Sequence, residues 1–231
     1  MKNIVVIGGS KGIGAILSQQ LSESTEYNVH VLSRTQPKYV GAHRYWEVDV
    51  LQADKLPNLD FPIDGLVYCP GSINLKPFKA LTIKAFQKDL DINFLGAVSI
   101  LQKYGPNLKK AEKASVVLFS TVAVQTGMAF HTSVAAAKGA IEGFTRALAA
   151  EWAPKIRVNT IAPSLTQTPL AARLLRTEQQ IEASNKRHPL QRIGQATDIA
   201  HAAHFLLSSN SDWMTGQILA VDGGLSSIRK L

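Results

Sequence analysis

The sequence predicts a single doubly wound α/β domain, with a mostly parallel seven-stranded sheet and helices on both faces. Three observations predict it. Short β-branched apolar runs alternate with helical patterns from one end of the 231-residue chain to the other, the repetition from which crossover helices build a parallel sheet. The apolar runs are continuous rather than alternating, as strands covered on both faces require. No composition break or linker divides the pattern, and the length suits one domain with a full core.

In chain order, the strand candidates are 3–7, 28–32, 44–48, 65–68, 115–119, 157–161 and 218–221, and the helix candidates are 12–22, 83–110, 133–152 and 197–207. The first helix follows a glycine turn, and Thr132 is placed to cap the third. Two segments depart from regular alternation. Only residues 50–63 separate the third strand from the fourth, and with Pro57 and Pro62 among them a degenerate turn is expected instead of a full crossover helix. Residues 165–195 are polar and partly helical, and a long insertion after a strand's carboxyl end is the usual place for a substrate lid.

No apolar run approaches the roughly 18–20 residues that a membrane span needs, and the start MKNIVVIGGS reads as strand plus turn because it has no small-residue cleavage site. Cys69 is the one cysteine, so no intrachain disulfide forms and a reducing cytoplasm is the expected compartment. Twenty-five basic against seventeen acidic residues give a formal charge of +8. The basic residues are scattered and no aromatic-interleaved basic stripe occurs, so the charge reads as solvated surface and nucleic acid is not an expected partner. No metal is expected.

The strongest motif is Gly8-Gly9-Ser10-Lys11-Gly12-Ile13-Gly14, set between the first strand and a helix. Glycines there let the backbone turn sharply and approach a pyrophosphate, and the helix behind them offers free N–H groups and a positive dipole end. The spacing is Gly-x-x-x-Gly-x-Gly, and its strand-to-helix context makes it a nucleotide site.

With this loop come Asp49-Val50 after the third strand, Cys69-Pro70-Gly71 after the fourth, Asn93, Lys138, Arg157-Val158-Asn159, Ala162-Pro163-Ser164 and a stretch from Gly216-Gln217 to Asp222-Gly223-Gly224. Together, in this order and nearly end to end, they resemble the short-chain dehydrogenase/reductase family. The resemblance implies a Rossmann-type sheet of order 3-2-1-4-5-6-7, carbonyl/alcohol chemistry and a nicotinamide cofactor. It also implies that Asp49 holds the adenine amino group, that Val50 flanks the ring, and that Cys69, Pro70 and Gly71 line the cofactor.

The second strand ends Leu32-Ser33-Arg34, without the carboxylate that an NAD-preferring site uses for the ribose hydroxyls. Arg34 can pair with a 2′-phosphate, Ser33 can donate to it, and Lys11 adds charge on the same side, so NADP(H) is expected in preference to NAD(H). In the segment Ala162-Pro163-Ser164-Leu165-Thr166-Gln167-Thr168, which resembles the family's loop at the nicotinamide, Pro163, Ser164, Thr166 and Thr168 are further cofactor candidates, and Ser164 stands where the family has glycine.

The family's chemistry needs a tyrosine that gives the proton, a lysine four residues later, a serine at the substrate carbonyl and an asparagine that holds a relay water. Lys138 fits the lysine and Asn93 the asparagine. Val134 stands at the tyrosine position, and Thr121, thirteen residues earlier, falls on the serine position. His131 is the candidate for a substitute acid because its ordinary pKa near 6.5 suits work near neutrality.

Two functions follow from this pattern. One is an NADPH-dependent oxidoreductase that reduces a small carbonyl, or oxidises an alcohol, through an altered site. The other is a catalytically impaired NADPH-binding protein acting as sensor or partner subunit. Small apolar residues in 216–225 fit an intersubunit surface, so a homo-oligomer, dimer or tetramer, is expected.

Overall fold

The structure, a computed structural model, describes residues 1–38 and 44–229. Its parallel sheet runs in the order β3-β2-β1-β4-β5-β6-β9, from β1 (Lys2–Ile7), β2 (Tyr27–Ser33), β3 (Arg44–Glu47), β4 (Gly65–Tyr68), β5 (Ala114–Phe119) and β6 (Ile156–Pro163) to β9 (Ile218–Val221). This is the expected order, its last strand numbered nine because two short strands, β7 (Thr166–Gln167) and β8 (Gly194–Gln195), pair separately.

Continuous apolar strands arise here because each one feeds two cores. Val5 and Ile7 of β1 join Leu66, Val116 and Leu118 in one cluster, covered by Ile100, Leu101, Tyr104 and Ile141. Ile4 and Val6, pointing the other way, join Val67 and Val117 under Leu17, Leu21, Ile199 and Leu206. Successive strand residues face opposite sides, so both parities must be apolar. The helices that cover the sheet are α1 (Gly12–Ser22), α3 (Gly96–Lys110), α5 (Thr132–Trp152) and α7 (Ala196–Leu207), with α2 (Ile83–Leu90), α4 (Ala123–Thr126) and α6 (Glu178–Arg187) nearer the rim. No helix among the described residues is long and apolar enough to cross a membrane.

The connection from β3 to β4 is degenerate as expected, with a single turn of 3-10 helix at Ala53–Lys55. Asn107 of α3 ties it down. Its Nδ2 donates to the carbonyls of Leu59 (2.6 Å) and Phe61 (2.9 Å), and its own carbonyl accepts from the Ile63 N–H (3.1 Å).

Two expectations are corrected. The stretch 83–110 is not one regular helix: a π-helical turn, Asp91–Leu95, separates α2 from α3. Within that turn the Ile92 carbonyl accepts from the buried Tyr68 hydroxyl at 2.7 Å, and a Cβ at Gly96 would collide with that hydroxyl. Thr132 does not cap α5. It is the first helical residue, and the cap position falls to His131, which makes no side-chain capping bond.

Residues 165–195 lie between the paired ends β7 and β8 and carry α6, whose start is closed by a Thr177–Gln180 capping box.

Asn107→Ala leaves two carbonyls without their donor. It should lower the urea-unfolding free energy by about 2–4 kcal/mol, since an unsatisfied buried group costs roughly 1–3 kcal/mol. A loss below about 1 kcal/mol would show that the connection is held by its apolar contacts instead.

Candidate active site

Parallel strands deliver their carboxyl ends to one edge, and the order of this sheet reverses between β1 and β4, which leaves a crevice for ligands there. The glycine loop sits at that point. Gly8 and Gly12 have φ of 78° and 56°, conformations that side chains resist. At Gly14 the need is space, because a Cβ would lie 2.5 Å from the Gly8 carbonyl oxygen. Helix α1 begins after Lys11, with no side-chain cap and no acidic residue in its first turn. Its N–H groups and dipole therefore face an anion without competition. Thr168 lies across from the loop, its Cβ 3.5 Å from where a Cβ on Gly12 would stand. A pyrophosphate fits this cradle of close backbone and uncapped N–H groups.

At the end of β2, Arg34 is exposed, as is Lys11 in the loop. Ser33 is buried and its hydroxyl donates to the Thr35 carbonyl at 2.9 Å, so its proton is committed within the chain. The hydroxyls at this edge are those of Ser10 and Thr35, 3.0 Å apart. Asp49 receives the Leu51 N–H on its carboxylate at 3.0 Å. Val50 is buried in the core beneath α3.

A cavity of about 860 Å³ runs from Ile13 and Thr168, beside the glycine loop, to Val134 and Lys138 of α5. Its wall is largely apolar, with Leu75, Met128, Phe130 and Leu170 among its residues. Among the described residues that line it, none is acidic and none is a tyrosine. Lys138 is 8% exposed and donates from Nζ to the Phe119 carbonyl, at the end of β5, at 2.8 Å. Burial lowers its pKa to about 8, against a smaller opposing pull from Cys69. Burial likewise pushes the Cys69 thiol up to about 12, with Lys138 opposing. Val134, one turn earlier on the same face, is buried against the cavity.

The other expected residues are brought together with different commitments. Thr121 lines the cavity, and its Oγ1 accepts the Ala123 N–H at 3.3 Å, which leaves its own hydrogen to give. Neighbouring Ser120 turns inward and donates to Glu142 Oε1 at 2.7 Å. The Asn93 side chain is engaged at both ends: its Oδ1 accepts from the Ser72 N–H (3.2 Å), and its Nδ2 donates to Ser72 Oγ (2.7 Å) and the Asp89 carbonyl (2.8 Å). It fixes the turn after Cys69-Pro70-Gly71, with both Nδ2 hydrogens committed and one lone pair of Oδ1 still open. His131 borders the cavity with Nδ1 2.7 Å from the Ala129 carbonyl.

Several contacts at the site were not read from the sequence. Ser72 donates to the buried carboxylate of Asp89 at 2.5 Å. Ser164 Oγ lies 2.9 Å from Nε2 of His188, whose Nδ1 lies 2.7 Å from the Ser184 carbonyl. Both Ser164 and His188 line the cavity. Ser164 and His188 are 24 residues apart and share no local pattern, so only the fold joins them.

Residues 54–226 match the family model described as enoyl-(acyl carrier protein) reductase. A tropinone reductase homologue of Arabidopsis thaliana is 31% identical, over 97% of this chain and 92% of that protein. A short-chain dehydrogenase family protein of Francisella tularensis superposes with a TM-score of 0.91 at 26% identity, over 99% of this chain and all of that one. The Thermoplasma acidophilum aldohexose dehydrogenase does so at 0.90 with 25% identity, over 100% and 96%. With these matches spanning fold and site alike, the chain belongs to the short-chain dehydrogenase/reductase family, oxidoreductases that act on CH–OH and C=O groups.

Proposed function

We propose that this protein is an NADPH-dependent reductase of a small carbonyl compound with an apolar body, working through an altered active site. One observation carries the reading: the anion cradle at Gly8–Gly14 opens into a cavity that holds the Lys138 ammonium and, among the described residues, has no acidic one in its lining. A cofactor with three phosphates finds there two exposed cations, Lys11 and Arg34, at the end of a strand that bears no carboxylate. When bound, the dihydronicotinamide supplies a hydride. Lys138 is placed to hold its ribose, Pro163, Ser164, Thr166 and Thr168 to border the nicotinamide end, and the apolar wall to exclude water. The segment 165–195 serves as the lid over the substrate, and the C-terminal strand as a homo-oligomer contact.

Val134 favours a second reading, a cofactor-binding protein of little turnover, because it offers no proton where the family's tyrosine stands. A positioned general acid contributes about 10²–10⁴-fold, or roughly 3–5.5 kcal/mol of barrier. NADPH oxidation by wild type across a panel of ketones, aldehydes and quinones separates the two readings. Turnover by wild type supports the reductase, whereas activity that appears only in Val134→Tyr supports the second.

Two further outcomes are expected. Arg34→Ala should reduce the preference for NADPH over NADH, measured as a ratio of Kd values, by about 10–100-fold, the worth of one charged hydrogen bond at roughly 1.5–3 kcal/mol. An unchanged ratio would remove Arg34 from the phosphate site. The second outcome concerns pH. Lys138 is a cation below about 8 and neutral above it, so NADPH affinity should fall as pH rises through that value, displaced upward by the bound anion. Lys138→Met should abolish the inflection in a fluorescence titration.

A further inference from the structure

We propose that Ser164 and His188 form a proton-delivering pair: the Ser164 hydroxyl protonates the oxygen of the reduced substrate, and His188 restores that hydroxyl. The proposal rests on the reductase reading and supplies the proton that Val134 does not.

The ring's orientation is fixed by its partners. A backbone carbonyl only accepts, so the contact of His188 Nδ1 with the Ser184 carbonyl at 2.7 Å puts a hydrogen on Nδ1. In the neutral ring Nε2 is then the acceptor, and Ser164 Oγ, at 2.9 Å, donates to it. When the ring is protonated, Nε2–H donates to Ser164 Oγ and the serine hydrogen is free for a third partner. The Asp222 carbonyl, at 3.4 Å, is a long and weak one, and a substrate oxygen in the cavity competes for the same hydrogen. A hydroxyl bonded to a ring that a third group orients is the arrangement from which side chains pass protons.

His188 is 3% exposed and Ser164 is half-buried, so the pair meets the cavity through the serine. Two charged groups face it. Asp222 lies on the turn after β9, where a Cβ on the adjacent Gly223 would come 3.7 Å from the ring's Cδ2. Burial disfavours the Asp222 charge, but bonds from Ser226 and Gly224 and the nearby imidazole hold its pKa below the ordinary carboxylate range. Its two oxygens accept the Ser226 and Gly224 N–H groups, at 2.8 and 2.9 Å. Arg187 opposes it from α6, with its guanidinium on Ser184 Oγ at 3.1 Å.

The other hydroxyls on the cavity lack such backing. Ser120 and Ser72 give their hydrogens to Glu142 and Asp89, and the contact of Thr121 is with the Ala123 backbone N–H, which does not titrate.

The step balances as follows. The carbonyl carbon gains a hydride, and the C=O π pair moves to oxygen. That oxygen takes the proton of Ser164 Oγ, and Oγ takes the proton of His188 Nε2 as its bond to hydrogen breaks. The imidazolium becomes neutral imidazole and keeps its hydrogen on Nδ1. Solvent returns one proton to Nε2 in each cycle. Ser164 is the catalytic residue and His188 the positioning, proton-supplying one.

The test compares wild type, Ser164→Ala, Ser164→Thr and His188→Gln. It measures kcat at saturating NADPH across pH with a carbonyl taken from the panel, and the histidine nitrogen resonances of the unliganded protein. Expected are a fall of about 10²-fold or more in Ser164→Ala and His188→Gln, with most activity kept in Ser164→Thr. Wild-type kcat should have a limb that declines with rising pH, and His188→Gln should lose that limb. The resonances should report a hydrogen on Nδ1, with a bare Nε2 that shifts in Ser164→Ala. A kcat within threefold of wild type in Ser164→Ala, with a lowered Tm, would make the pair a structural pin and overturn the proposal, as would a hydrogen on Nε2 alone in the neutral ring. Wild type that binds NADPH but reduces nothing in the panel would overturn the reductase reading and the relay together, which is distinct from turnover indifferent to Ser164.

Discussion

A buried ammonium needs an acceptor, and the site is arranged around how Lys138 finds one. Its partner is the last carbonyl of β5, a group left open because β5 stops at Phe119. Together with the Ser120–Glu142 and Thr145–Thr160 contacts, at 2.7 and 2.6 Å, that bond ties α5 to the sheet. It sets the face on which Val134 meets the cavity and keeps the cation beside the mouth of the strand order's reversal. Burial weakens the charge that the bond holds, so the lysine sits near the balance between its two forms, where an approaching anion has the greatest leverage. The cost of placing it there is carried by the sheet and the two cores beneath it.

Around this bond the polar groups of the site fall into two classes. Asn93, Ser72, Asp89, Ser120 and Glu142 spend their hydrogen bonds on one another and on backbone, and thereby shape the walls. Thr121, Ser164 and His188 border the space and retain a proton to exchange or to give. A residue's type does not assign it to either class. Ser120 and Thr121 are adjacent hydroxyls at the end of the same strand, and both border the cavity, but Ser120 gives its hydrogen to Glu142 while Thr121 keeps its own.

The sheet was legible in the sequence because strands buried on two faces need both parities apolar, and no other element of that length asks for it. The glycine loop was legible because φ and close approach restrict residue choice at Gly8, Gly12 and Gly14. Other features were not. A π-turn adds one residue to a helical run without altering its composition, so 83–110 reads as one helix. The commitment of Ser33 to Thr35 and of Asn93 to Ser72 depends on which way a side chain turns, and spacing carries no record of that. The contact of Ser164 with His188 depends on how 165–195 folds back over the β6 edge, which no local pattern encodes.

The π-turn has a consequence for how the long helical stretch is divided between duties. One extra residue rotates everything downstream by about 100° relative to a regular helix. Helix α2 is thus in phase with α5 and with Ser72, which bonds its Asp89, and α3, carrying Ile100, Tyr104 and Leu108, is in phase with the sheet. The turn works as a phase shifter, letting one continuous rod serve two partners whose directions a uniform helix could not satisfy together. The two halves can consequently drift apart in sequence: changes on α2 that alter its packing on α5 carry no obligation to the packing of α3, so long as the Tyr68 hydroxyl keeps the shift in place.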